Sequence, residues 1–319
     1  MQPLEDLKAA IKEALPSLDF VIGWESGWNP LLATPLFMYA PEDVDKLTWG
    51  PFNVNNPATY LSALKGKKVG VVVKGCDSRS VVQLLQEKLI RREDLTVFGM
   101  PCTGVVDATK IARKVGDLGM ISGAKRTNGT LSVTTHEGSV DIPWEEAAAD
   151  KCLSCQYPNA IISDHFKGDP LPPTIGRDPA AEQLAALEAL APAELFAHWK
   201  DAMDRCIRCY ACRNACPMCV CRDHCIAQTR DPHWISQDDT VKEKLMFQMI
   251  HSLHLAGRCT ECGECQRACP VDIPILALRR KLNSVVKDLF DYQAGVDPNA
   301  VPPLFTFQVE EAKINERGW

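Results

Sequence analysis

The chain has 319 residues, enough for two domains, and a globular composition with 46% hydrophobic and 24% charged residues. Its net charge of −6 argues against nucleic acid as a ligand. No apolar run approaches the length of a membrane span, and residues 1–20 do not read as a leader, so a cytoplasmic protein without a transmembrane segment is expected.

The first half alternates short apolar runs with helical patterns. Residues 3–14 place Leu4, Leu7 and Ile11 on one helical face, and 19–24 read as a strand. Residues 25–56 form an irregular segment with a short strand near 36–39, and a helix is expected over 57–64. Lys68–Val73 has the unbroken apolar character of a strand buried on both faces. The loop Gly75-Cys76-Asp77-Ser78-Arg79 follows, then a helix from about Ser80 to Ile90. Leu95–Phe98 is the next strand; it leads into a loop holding Cys102, and Asp107 caps a helix running to about Val115. Such alternation implies a mainly parallel sheet with crossover helices. A hairpin is expected at 130–143. A helix over 144–150 leads into Cys152-Leu-Ser-Cys155.

Residues 167–178, dense in Pro and Gly, suit a linker, and the pattern beyond them is helical. Helices are expected at 180–190 and 193–204, the second with an apolar stripe of Leu195, Phe196, Trp199 and Met203 packed in a core. A further helix at 240–256 carries Met246, Met249, Ile250 and Leu253 on one side, and another runs to about Phe290.

Two copies of one motif lie in this region: Cys206-x2-Cys209-x2-Cys212-x3-Cys216-Pro217 and Cys259-x2-Cys262-x2-Cys265-x3-Cys269-Pro270. This spacing lets three thiolates on a tight loop reach three irons of one cubane, while the fourth turns to the other cluster. The expected ligand sets are therefore Cys206, Cys209, Cys212 and Cys269 for one [4Fe–4S] cluster, and Cys259, Cys262, Cys265 and Cys216 for a second. Zinc, the other common guest of four cysteines, normally takes paired knuckles instead. Thiolate ligands in turn need a reducing compartment.

Seven cysteines remain. Cys76 and Cys102 follow neighbouring strands, at the sheet edge where α/β proteins collect ligands. With Cys152 and Cys155 they make four thiolates, enough for a third cubane; the plainer reading is that Cys76 and Cys102 are small buried hydrophobes. Cys219, Cys221 and Cys225, with His224, would suit a zinc or iron centre, or form a sulfur shell beside the first cluster. Cys212-x3-Cys216-x2-Cys219 has the spacing of a radical-SAM site, but two of its members belong to the ferredoxin pattern. The loop opening at Gly75 would suit a phosphate or a plain helix cap by Asp77 or Ser78. No Rossmann or Walker fingerprint is present. Arg205 and Arg258, just ahead of the two motifs, are expected to offset cluster charge.

Lys68–Gly168 resembles the beta-subunit family of deazaflavin-reducing hydrogenases and dehydrogenases, through Gly99-Met-Pro-Cys102 and Cys152-Leu-Ser-Cys155 followed by Asp164 and Gly168. The Gly75–Arg79 loop and Cys216-Pro-Met-Cys219-Val-Cys221 are similar to segments of sulfhydrogenase beta and anaerobic sulfite reductase A subunits. The second motif also resembles the ferredoxin subunit of heterodisulfide reductase. The resemblance implies an electron-transfer subunit whose partners are flavoprotein, hydrogenase, formate dehydrogenase or heterodisulfide reductase subunits. It also implies FAD in members that reduce a deazaflavin or nicotinamide cofactor, although no flavin motif is evident here. The expected architecture is an α/β domain over 1–169 and a helical domain with two [4Fe–4S] clusters over 170–285. An extended docking tail over 286–319 follows, with apolar groups that a partner, or the chain's own ferredoxin domain, would cover.

Overall fold

The structure is a computed structural model and describes residues 2–221, 225–227, 236 and 238–307. Helix α1 (Gln2–Ala14) buries Leu7, Ala10 and Ile11 against the first sheet. Strands β1 (Phe20–Glu25) and β2 (Thr34–Met38) pair antiparallel, and the short helices α2 (Pro41–Val44) and α3 (Ala58–Leu61) follow. Strand β3 (Val69–Val73) is buried along its whole length and leads into α4 (Gly75–Gln86), then β4 (Leu95–Gly99) and α5 (Ala108–Val115).

With strand β8 (His165–Phe166) at one edge, the sheet order is β2-β1-β3-β4-β8, and β1, β3, β4 and β8 run parallel. Strand β8 was not evident from the sequence because two residues carry no periodicity. Asp164 secures it, its carboxylate accepting the Val97 N–H at 2.8 Å. The expected hairpin is a three-stranded antiparallel sheet, β5 (Ile121–Thr127), β6 (Thr130–Thr135) and β7 (Gly138–Pro143). Helices α6 (Trp144–Ala147) and α7 (Asp150–Leu153) replace the single helix expected over 144–150. Residues 167–178 contain neither helix nor strand, and Thr174 N–H donates to the Cys155 carbonyl at 2.7 Å.

The remainder is helical: α8 (Pro179–Glu188), α9 (Pro192–Asp204), α10 (Ala211–Asn214), α11 (Val241–Leu253), α12 (Glu264–Arg267) and α13 (Ile275–Phe290). Because α13 runs through Phe290, helix continues past residue 285. One apolar cluster joins Val69, Val71 and Val73 of the sheet to Cys212, Cys265, Phe247 and Ile275, so the two regions share a core. Thr59 Oγ1 donates to the Ala215 carbonyl at 3.0 Å, and Arg258 forms a two-point ion pair with Glu87 at the end of α4.

Two helices depart from their apolar pattern to different degrees. On α9 Met203 is fully buried, Trp199 packs against the core and Leu195 is half-buried, but Phe196 is 60% exposed. On α11 Met246, Met249 and Leu253 point outward, while Lys244, Phe247, Gln248, His251 and Ser252 are buried. The buried face of α11 looks onto the cysteine loops, where Lys244 donates to the Asp204 carbonyl and Gln248 to Cys212 Sγ.

Candidate metal centres

Both ferredoxin motifs bend their backbone in the same way. Arg208 and Tyr210 take positive φ in the first, and Glu261 and Gly263 take it at the matching positions of the second. Each left-handed residue curls the loop so that amides face sulfur. Arg208 N–H donates to Cys206 Sγ at 3.4 Å, and Glu261 N–H donates likewise to Cys259. A short helix, α10 or α12, then carries the third cysteine of each triplet inward.

Cys206, Cys209, Cys212 and Cys269 line one small pocket closed by Phe247 and Gln248. Cys216 stands instead with the second triplet: its charge reaches Cys262 and Cys265, and Arg279 lies beside Cys265, Cys216 and Cys259. The fourth cysteine of each run thus sits with the opposite triplet. The first set is nearer the surface, with Cys209 exposed and Ile207 63% exposed; Cys216, Cys259, Cys262 and Cys265 are all buried.

The charged surroundings were only partly foreseen. Arg205 pairs with the exposed Asp201; Arg258 pairs with Glu87, and its charge also reaches Cys219 and Cys216. Arg279, which is 2% exposed, lies beside them too. Its Nη1 is 3.9 Å from Cys216 Sγ, and its Nε finds no partner. Its Nη2 meets the ring of His251, whose Nε2 is 3.2 Å from Cys219 Sγ. Burial, and then the Arg279 charge, hold His251 well below the usual imidazole range. A hydrogen bond from Cys219 holds the Cys216 thiol low and Cys219 correspondingly high, which makes Cys219 a donor to Cys216. Cys221 is exposed, and His224 lies outside the described residues.

Cys76, Cys102, Cys152 and Cys155 line one cavity of about 540 Å³ at the carboxyl ends of β3 and β4. Cys76 lies in the first turn of α4, not in a loop. Asp77 accepts the Lys74 N–H at 3.0 Å and starts the helix at Gly75, five residues before the expected Ser80. A side chain at Gly75 is impossible, since its Cβ would stand 1.7 Å from the Tyr157 carbonyl oxygen. Gly104 N–H donates to Cys102 Sγ and Val105 N–H to Cys152 Sγ, both at 3.4 Å, and Tyr157 N–H donates to Cys155. Lys74 is neutralised by Asp77 at 2.8 Å. Lys151 reaches the other way and donates to the Cys262 carbonyl.

The donor chemistry fits iron–sulfur cubanes. Burial pushes the Cys102 and Cys262 thiols up to about 12, and Cys76, Cys259 and Cys265 upward too. Such groups ionise only against a bound metal. The buried Nε atoms of Arg79, Arg208, Arg213 and Arg279 have no hydrogen-bond partner, as suits cations facing an anionic group. Among the described residues no three His, Cys, Asp or Glu side chains surround a single ion-sized point, which zinc with thiolates at about 2.3 Å would need.

Comparison with known proteins agrees. Residues 202–273 match the family model of a 4Fe-4S dicluster domain. The F420-dependent formate dehydrogenase subunit beta of Methanocaldococcus jannaschii is 35% identical over 111 residues, 34% of this chain and 28% of that protein's length. The F420-dependent formate dehydrogenase 1 subunit beta of Methanococcus maripaludis is 34% identical over 356 aligned positions, covering 90% of this chain and 89% of that protein. The chain belongs to this beta-subunit family. A chain of the xenon-derivatized F420-reducing [NiFe] hydrogenase complex from Methanosarcina barkeri overlaps 47% of it and 58% of its own length, at 21% identity and a TM-score of 0.37, too slight a likeness to place a residue.

For a beta-subunit-family chain the cysteines were the legible part. Arg279, His251 and Lys151 were not, because their relation to the thiols is made only by folding. The one sequence signal was weak: Lys244, Gln248 and His251 recur on one face of an otherwise apolar helix.

Proposed function

We propose that the chain is an iron–sulfur electron-transfer subunit of a multi-subunit redox complex, with three cubane sites in series. The ligand sets are Cys206, Cys209, Cys212 and Cys269; Cys259, Cys262, Cys265 and Cys216; and Cys76, Cys102, Cys152 and Cys155. The observation that carries this reading is that Cys206, Cys212, Cys216, Cys259 and Cys265 share one core cluster, while Cys76, Cys102, Cys152 and Cys155 line a cavity whose wall includes Thr260 and Glu261 of the second motif. A bound cubane supplies one-electron exchange. The chain's own residues hold the thiolates, donate backbone N–H groups to them, keep water from the second set and place Arg279 and Lys151 against them.

The relatives' names point to a complex of formate dehydrogenase type, for which a cytoplasmic location is our proposal; hydrogenase and heterodisulfide reductase types are the alternatives. Among the described residues no helix is long and apolar enough to cross a membrane. Val301, Leu304, Phe305 and Phe307 are more than half exposed and suit a partner's surface; residues 308–319 of the expected docking tail lie outside the described residues.

A second reading adds FAD at the cavity of the third set. A hydride donor such as a deazaflavin releases two electrons together, so a flavin has to stand between it and one-electron centres. The cavity walls include Arg79, Arg280 and Lys287, which suit an anionic nucleotide. A flavin spectrum on the purified subunit decides this point.

The test of the main reading is donor-driven reduction in the complex purified anaerobically from its native cell. Formate, hydrogen or reduced deazaflavin should produce reduced-cluster signals from this subunit at the rate of turnover. Turnover with the subunit's clusters left oxidised would reject the assignment.

A further inference from the structure

We infer that Lys151 is an electrostatic bridge between the third and second cysteine sets, a cation shared by two clusters that sit in different parts of the fold. The inference rests on the three-cluster reading above. The backbone of Lys151 belongs to α7, immediately before Cys152, so its position is tied to the third set. Its ammonium group donates to the carbonyl of Cys262, in the middle of the second motif. Cys76 and Cys152 from one set, with Cys262 and Glu264 from the other, are its charged neighbours.

Gly263 supports this reading from the other side. It has φ +77°, and the matching residue of the first motif, Tyr210, holds φ +59° with a full side chain. The backbone bend alone therefore does not demand glycine. A Cβ at 263 would stand 3.3 Å from Lys151 Cδ and 3.7 Å from Nζ. The missing side chain leaves the lane through which Lys151 reaches Cys262. At the matching place the first motif carries the Tyr210 side chain.

A shared cation has a definite consequence. Each cluster becomes more negative when it takes an electron, and a positive charge beside both favours that state in both. Removing it should lower two reduction potentials at once, one in the α/β region and one in the helical region. Arg279, beside the second set and within reach of Cys212 of the first, should move only one of these two.

The experiment is EPR-monitored redox titration of the full chain, purified anaerobically, as wild type and as Lys151→Met, Lys151→Gln and Lys151→Arg, with Arg279→Gln as the control. The expected result is a downward shift of both the second and third clusters in Lys151→Met and Lys151→Gln, with near wild-type potentials in Lys151→Arg. Arg279→Gln should shift the second and leave the third in place. No shift, a shift confined to one cluster, or Lys151→Arg behaving like Lys151→Met overturns the inference. If both neutral variants lose iron while Lys151→Arg keeps it, the position requires charge, as inferred. If all three lose iron, shape is what matters and the inference is wrong. A wild-type chain with about eight irons instead of about twelve would reject the three-cluster reading itself, and the bridge with it.

Discussion

Arg279 Nη1 stands 3.9 Å from Cys216 Sγ in an interior where the arginine is 2% exposed. The arginine comes from α13, four residues after the start of that helix, and the cysteine from the end of the first motif. A guanidinium buried this deeply is tolerable only against negative charge. Its neighbours Cys265, Cys216 and Cys259 all belong to the second set.

Replacing Arg279 with Gln should therefore lower the potential of the second cluster. One unit charge at about 4 Å is worth on the order of 4 kcal/mol at an effective dielectric of 20. A drop of at least roughly 60 mV, the one-electron equivalent of 1.4 kcal/mol, is expected. Arg279→Lys should recover part of it. Redox titration checks both, and an unmoved potential would show that the cation serves packing alone.

The crossed placement of Cys216 and Cys269 separates the two clusters genetically. Cys216→Ala should abolish the second cluster's signal and spare the first; Cys269→Ala should do the reverse. Each variant should lose about four irons. Iron analysis with EPR distinguishes these outcomes, and loss of the first cluster in Cys216→Ala would mean that ligation is not crossed.

The chain after α13 is fastened to α4. Tyr292 Oη donates to Gln83 at 2.8 Å, Arg79 donates to the Ala294 carbonyl at 2.9 Å, and Gln86 donates to the Asp297 and Ala300 carbonyls. Gly295 has φ +70°, and a Cβ there would stand 2.1 Å from the Arg79 carbonyl oxygen. Gly295→Ala should destabilise the fold by about 2–4 kcal/mol, through strain and displaced backbone. Tyr292→Phe should cost about 1 kcal/mol. Denaturant titration measures both. Truncation after Pro302 leaves these fastenings in place and should barely change stability, in contrast to truncation after Phe290.

The parts of this protein that could be read from its sequence are those with local causes. The unbroken Val69–Val73 run forecast a strand buried on both faces, and the Asp107 cap was visible because its partners, Thr109 and Lys110, are near in sequence. The cysteine repeats marked a dicluster ferredoxin region through spacing alone, and the family match covers it. Phe196 was misleading because an apolar side chain at the edge of a helical stripe does not say how far the helix is turned inward. The inward face of α11 is polar, since Lys244 reaches the Asp204 carbonyl and Gln248 reaches Cys212 Sγ. Lys151 was hidden for the related reason that its partner, Cys262, lies 111 residues away.

The central claim is that the cysteine sets hold iron–sulfur cubanes. Iron, zinc and acid-labile sulfide determined on the anaerobically purified chain test it most directly. The account predicts about twelve irons and about twelve sulfides per chain, falling to about eight of each when Cys102 is replaced by Ser. Zinc in place of iron, or iron without inorganic sulfide, would contradict it.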